Sequence, residues 1–268
     1  MSCCRNLKAR AWIRRWDIPG QDWFENFFVQ GLFVEGLERI PVERTEMEVA
    51  FIVETLGLPI GARILDLCCG IGRHSVALAE RGYQMAGLDL DERALAIAQS
   101  RAQEARVDIV WHQADMRRIP YSEELDGVIN VFGSWGYYDT DEKDAEVLGA
   151  VAAALTQGGL FLLEIINRDN LFRRYQPNTW TTEANGNLVL TRYDLDLTTS
   201  RHRATELVLR PDGQRFERWH TYRFYTLTEV IRMMRDVGLL FRKAWGGYDA
   251  SPYTLESRRM IVLAEKTG

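Results

Sequence analysis

The chain has 268 residues, of which 46% are hydrophobic and 26% charged, the balance of an ordinary globular protein with a sizeable core. Its formal charge of −5 argues against a protein held on nucleic acid by bulk electrostatics, and no apolar run approaches the ~18 residues of a membrane-spanning helix. The four cysteines form two adjacent pairs, Cys3 with Cys4 and Cys68 with Cys69, which match neither a disulfide framework nor a zinc site and suit a reducing cytoplasm.

In chain order, the opening "MSCCRNLKARAWIRRWD" is basic, lacks the apolar stretch of a signal peptide, and reads as a tail. In "DWFENFFVQGLFVEGL", Trp23, Phe27 and Phe28 fall at i, i+4 and i+5 behind a capping Asp22. That spacing predicts a helix packed on the core or laid over a ligand pocket as a lid, and residues 1–42 are read as one aromatic helical arm.

From Glu43 the texture alternates. Helices are predicted over 44–57, 73–81, 92–105 and 142–155. Between them "ARILDLC", "QMAGLDL", "DIVWHQAD", "LDGVINVF" and "GLFLLEII" read as short, mostly buried strands. The alternation predicts an α/β fold with a doubly wound, mostly parallel sheet. Right-handed crossovers then bring the C-terminal ends of the strands to one rim, where ligands bind.

After Asn167 the pattern changes to antiparallel strands separated by Asn185-Gly186 and Pro211-Asp212-Gly213, an insertion after the fifth strand spanning 167–226. The helix "LTEVIRMMRDVG" and the strands "FRKAWGGY" and "RRMIVLAEK" then complete a seven-stranded sheet, so 43–166 and 227–268 form one core. The stretch from Asn167 to Phe224 carries ten arginines, no lysine and seven acids. Cross-strand ion pairs on a solvated face explain that excess, and so does an anionic acceptor. His202 and His220 are expected as surface or sheet residues. The insertion is read as a substrate cover or as the contact of a homodimer, since exposed strand edges can pair with a second subunit.

The loop "LDLCCGIGRHS" carries the chemistry. A Gly-x-Gly between strand and helix is weak evidence alone. Asp66, however, lies four residues before Gly70, Gly72 completes the pair, and Ser75 stands where a dinucleotide fingerprint has its third glycine. No Lys-Ser/Thr follows, which excludes a triphosphate loop. Asp89, with Leu90 beside it, ends the second strand, where a carboxylate can accept both hydroxyls of a ribose. Asp115 ends the third strand, placed to accept from an adenine amino group while the Met116 N–H reaches a ring nitrogen. Asn130 ends the fourth.

These segments, with "GLDLDERALAIAQ", "QADMRRIP", "LDGVINVFGSWGYY" and "LTQGGLFLLEIINR", resemble the successive cofactor motifs of class I S-adenosylmethionine-dependent methyltransferases, strongly over 43–167. The resemblance implies S-adenosyl-L-methionine as cofactor, with Gly70 and Gly72 letting the backbone approach the methionyl part. It also implies Asp89 on the ribose and Asp115 with Met116 on the adenine. Cys68 departs from the pattern by standing at the loop's first glycine. Trp135, Tyr137 and Tyr138 fall beside the cofactor, and Tyr137 is the first candidate for touching substrate. His74 is a candidate general base or a capping residue, and Arg73 a partner for the cofactor's carboxylate. The loop lacks the Asn/Asp-Pro-Pro-aromatic signature of enzymes that methylate planar exocyclic or amide nitrogens. The expected acceptor is therefore a small molecule methylated on N or O, with no metal. Rival readings are an RNA- or protein-directed enzyme, a non-catalytic cofactor-binding protein and, more distantly, an NAD-dependent dehydrogenase.

Overall fold

The computed structural model describes Trp23, Phe24 and residues 32–267 apart from Ala184. The basic tail, Asp22, Phe27, Phe28 and most of the aromatic helix expected there lie outside those residues. Helix α1 (Leu32–Glu38) leads into α2 (Val42–Leu56), which begins after Pro41 and stops at Gly57, whose N–H returns to the Val53 carbonyl. Val49, Ile52 and Leu56 give α2 a buried stripe at helical spacing.

Five strands run parallel: β1 (Arg63–Leu67), β2 (Gln84–Asp89), β3 (Ile109–Gln113), β4 (Leu125–Asn130) and β5 (Leu155–Ile166). Helix α3 (Arg73–Ala79) joins β1 to β2, α4 (Glu92–Ala105) joins β2 to β3, and α5 (Asp141–Ala154) joins β4 to β5. A second unit (β6 to β9) follows β5, after which β10 (Leu239–Trp245) and β11 (Arg259–Lys266) rejoin the first sheet. Its order is β10-β11-β5-β4-β1-β2-β3, with β11 antiparallel to both neighbours.

Alternate residues of each central strand serve opposite layers. Leu65, Leu67, Val128 and Leu163 pack with Val147, Leu148 and Val151 of α5. Ile64, Ile129 and Leu162 pack with Val49 and Ile52 of α2 and Leu78 of α3. Chain direction across the sheet reverses between β1 and β4, which opens a crevice at their C-terminal ends.

The insertion is a separate antiparallel sheet of β6 (Asn178–Thr182), β7 (Leu188–Asp196), β8 (Arg201–Leu209) and β9 (Arg215–Arg223), in that spatial order. It is entered through α6 (Arg168–Arg173), a helix that the sequence pattern did not announce. Asn167 caps α6, accepting from the N–H groups of Asp169 and Asn170. It is left through α7 (Leu227–Asp236), which opens on a Thr226–Glu229 capping box.

The arginines of the insertion are largely paired, but mostly not across strands. Arg218 meets Glu206 between β9 and β8, whereas Arg173 pairs with Glu256 and Arg223 with Asp141 and Glu229 outside the sheet. Both histidines are sheet residues, as expected, His202 on β8 and His220 on β9. His202 is buried and stacked 4.9 Å from Tyr193, and half-buried His220 packs 4.9 Å from Tyr222 and 6.0 Å from Trp23. Burial pushes His202 down to about 4 and His220 to about 3, so both are neutral interior aromatics. Among the described residues no helix is long and apolar enough to cross a membrane.

Candidate active site

Between β1 and α3 the chain reverses through Cys68 (φ 63°), Gly70 (φ 54°) and Gly72 (φ 70°). The left-handed region costs an L-residue about 1–2 kcal/mol, so Cys68 holds a conformation that glycine adopts freely. The cost is offset by its N–H, which donates to the Leu88 carbonyl at 2.7 Å, and by its thiol, 3.5 Å from the Met116 sulfur. Asp66 is buried on β1. Burial raises its carboxyl above the ordinary range, and the Ser75 hydroxyl donates to Oδ2 at 2.6 Å.

At the end of β2, Asp89 braces the same loop. Its Oδ2 accepts from the Gly70 N–H at 2.7 Å and its Oδ1 from the Asp91 N–H at 2.9 Å. Burial outweighs these bonds and lifts the carboxyl to about 6. Each oxygen keeps an accepting position, so the group is a buried acceptor with room for two further donors.

Asp115, after β3, is more fully engaged. Arg117 grips both its oxygens, at 3.0 and 2.6 Å, and the Tyr138 hydroxyl donates to Oδ1 at 2.6 Å. Burial raises this carboxyl, but those donors overcome it and bring it down to about 2. Oδ2 has a single partner and remains able to accept.

These strand ends surround a cavity of about 450 Å³, within the size range of small-ligand pockets. Asp66, Gly70, His74, Asp89, Leu90, Asp115, Met116 and Tyr137 line it, together with Phe24, Val34, Leu37, Phe132 and Tyr138. Two expected residues stand behind the wall. Gly72 faces α4 and β3, where an added Cβ would come within 2.8 Å of the Ala98 Cβ and the Trp111 ring. Asn130 is buried and donates to the Leu67 carbonyl at 2.8 Å, tying β4 to β1. Trp135 is likewise core, stacked 4.4 Å from Tyr225.

His74 and Arg73 open α3 against α2. The His74 Nε2 lies 2.9 Å from Glu48, which also accepts from Arg73 and Arg44. Burial raises the Glu48 carboxyl, but the bonds from His74 and Arg73 prevail and hold it at about 2. Sequence reasoning missed Glu48, because one acid on an amphipathic helix carries no sign that it faces inward. It missed Arg117 as well, whose only signal is its place two residues after Asp115.

The cavity fits S-adenosylmethionine on its donors and acceptors. Asp89 lacks donors that a ribose would bring, the Asp115 Oδ2 can accept from an amino group, and the rings of Phe24, Phe132, Tyr137 and Tyr138 suit a sulfonium cation.

Comparison with known proteins agrees. The family described as "Methyltransferase domain" matches residues 64–159. YqeM of Bacillus subtilis (strain 168) is 24% identical over 78% of this chain and 86% of its own. The fold is shared with an S-adenosylmethionine-dependent methyltransferase of Clostridium acetobutylicum ATCC 824, at a TM-score of 0.76 and 16% identity over 91% of this chain and 100% of that one. It is shared too with the amino pentose methyltransferase CalS10 of Micromonospora echinaspora, at a TM-score of 0.63 and 20% identity over 94% and 100% of the two chains. Residues 64–159 thus form a methyltransferase domain, on the fold of S-adenosylmethionine-dependent methyltransferases. The protein is a methyltransferase, and its cofactor is S-adenosylmethionine.

Proposed function

We propose that the enzyme methylates a nitrogen or oxygen nucleophile of a small molecule. The observation that carries this reading is the cavity itself, about 450 Å³ and walled by Phe24, Phe132, Tyr137 and Tyr138. That volume must hold the whole cofactor, so the space left beside these rings suits a compact acceptor. CalS10 is by its name a methyltransferase of an amino pentose, an acceptor of that scale.

When bound, S-adenosylmethionine supplies an electrophilic methyl group for in-line displacement. The protein's part is to hold, orient and exclude water. Asp89 accepts from the ribose hydroxyls. Asp115 and the Met116 N–H hold the adenine. Burial keeps the Tyr137 hydroxyl protonated by raising its pKa well above the ordinary value, so Tyr137 faces the acceptor as a neutral hydroxyl and takes no proton from it. His74, gripped by Glu48, belongs to the wall, and a neutral amine acceptor needs no base. The β6–β9 sheet serves as cover, bringing the Tyr222 ring to 5.0 Å from Tyr137.

Transfer of labelled methyl from S-adenosylmethionine to a panel of amino sugars, amines and phenols, beside tRNA and protein, tests this reading. Turnover confined to small acceptors is expected. Methylation of RNA or protein alone, with salt-dependent association, would overturn it.

A further inference from the structure

Charged groups gather around the Phe132 ring, which lines the cavity. The guanidinium groups of Arg44, Arg73 and Arg259 lie 5.2, 5.1 and 5.8 Å from its centroid. Two buried carboxylates answer them, Glu48 from α2 and Glu164 from β5, so three cations face two anions. Phe132 itself is fixed at φ 73° with its N–H on Glu164 Oε2 at 2.5 Å.

Arg73 is the guanidinium of the three that lines the cavity. Its Nη1 is committed to Glu48 and to the Thr45 hydroxyl at 3.1 Å. Its Nη2 is buried with no acceptor, on a side chain only 8% exposed. A buried cationic donor without a partner is costly, and it marks the place of an anion. Because Glu48 holds one branch of the fork and Phe132 supports its face, the other branch has a fixed position.

We propose that Glu48 is a positioning residue that sets Arg73 on Phe132 so that Nη2 is presented to the carboxylate at the methionyl end of the cofactor. This rests on the cavity being the S-adenosylmethionine site. Glu48 touches no ligand. It acts through Arg73, because a fork anchored by a carboxylate loses less freedom when it binds a second one.

The test compares S-adenosylmethionine with decarboxylated S-adenosylmethionine, which differ by that carboxylate alone, by calorimetry without acceptor. The wild-type enzyme is expected to bind the intact cofactor at least about tenfold more tightly. Glu48→Gln is expected to weaken the intact cofactor about 10- to 100-fold and leave the decarboxylated one unchanged, so that discrimination collapses. Arg73→Lys keeps the charge but loses the fork, and the same collapse is expected. It serves alone if Glu48→Gln does not fold. Equal weakening of both ligands in a folded Glu48 variant would make its role merely structural and overturn the proposal. So would unchanged discrimination in either variant. Failure of the wild-type enzyme to bind either ligand would refute the cavity's assignment instead.

Discussion

The Ser75 hydroxyl donates to the buried carboxylate of Asp66 at 2.6 Å, across the turn that joins β1 to α3. A third glycine at this place would bring its helix closer to the strand but would leave Asp66 without that donor. The serine therefore secures an acid under the cofactor loop. With Asp89 holding the Gly70 N–H, two carboxylates fix the loop from below and from the side.

Asp89→Ala removes the proposed ribose acceptor and the brace on Gly70 together. Cofactor affinity is expected to fall by about 1.5–3 kcal/mol, the scale of hydrogen bonds to a charged group. Calorimetry with S-adenosylhomocysteine reads this directly, and unchanged affinity in a folded variant would remove Asp89 from the ribose.

Cofactor affinity should also depend on pH through the same residue. In the ligand-free enzyme the Asp89 carboxyl sits at about 6. Ribose hydroxyls donate to its ionised form, so binding favours the carboxylate and lowers that pKa. Affinity is expected to be full above pH 6 and to fall, by at most about tenfold per unit, below it. Asp89→Asn should flatten that slope, and a slope that survives it would place the titrating group elsewhere.

The two glycines of the loop should fail differently. Gly72→Ala puts a Cβ against Ala98 and Trp111 at a positive φ, and about 2–4 kcal/mol of stability should be lost from strain and overpacking together. Gly70→Ala meets only the tip of Leu37 at 3.1 Å, so it should cost less stability and more cofactor affinity. Urea melts beside calorimetry separate the two, and equal stability losses would contradict the assignment.

Asp144 gives a stability signature of opposite sense to the usual acid. Burial raises its carboxyl from 3.8 to about 7, although the Tyr225 hydroxyl donates to it at 2.7 Å. The native state therefore holds the proton more tightly, and this group's contribution to stability declines as pH rises from about 4 through 7. Glu48, held at about 2, works the other way: its contribution is present above 4.5 and is lost as pH falls toward 2. Asp89, raised to about 6, adds to the same decline, so Asp144→Asn should make the fall in melting temperature between pH 4 and 7 shallower, most of all above pH 6, and an unaltered profile would exclude Asp144 as a source.

The sequence by itself determined the sheet, the loop and the cofactor. Strand and helix periodicity are local properties, and the bounds they predict for α4 match the observed Glu92–Ala105 to the residue. That Asp66, Gly70, Asp89 and Asp115 line one cavity was legible because each sits at or just past the end of a strand, and parallel strands must deliver their ends to one rim. Helix α6 was not legible, since six residues give no full apolar period and Asn167 declares itself as a cap only once the helix exists.

Only the tertiary structure decided which residues face the cavity. It turned Gly72, Asn130 and Trp135 away, drew His202 into the interior, and brought Glu48 from α2 to Arg73, 25 positions later in the chain. These are matters of packing between distant segments. A buried acid and a solvated one are written with the same letter, and the difference between them is made by neighbours that the chain meets only on folding.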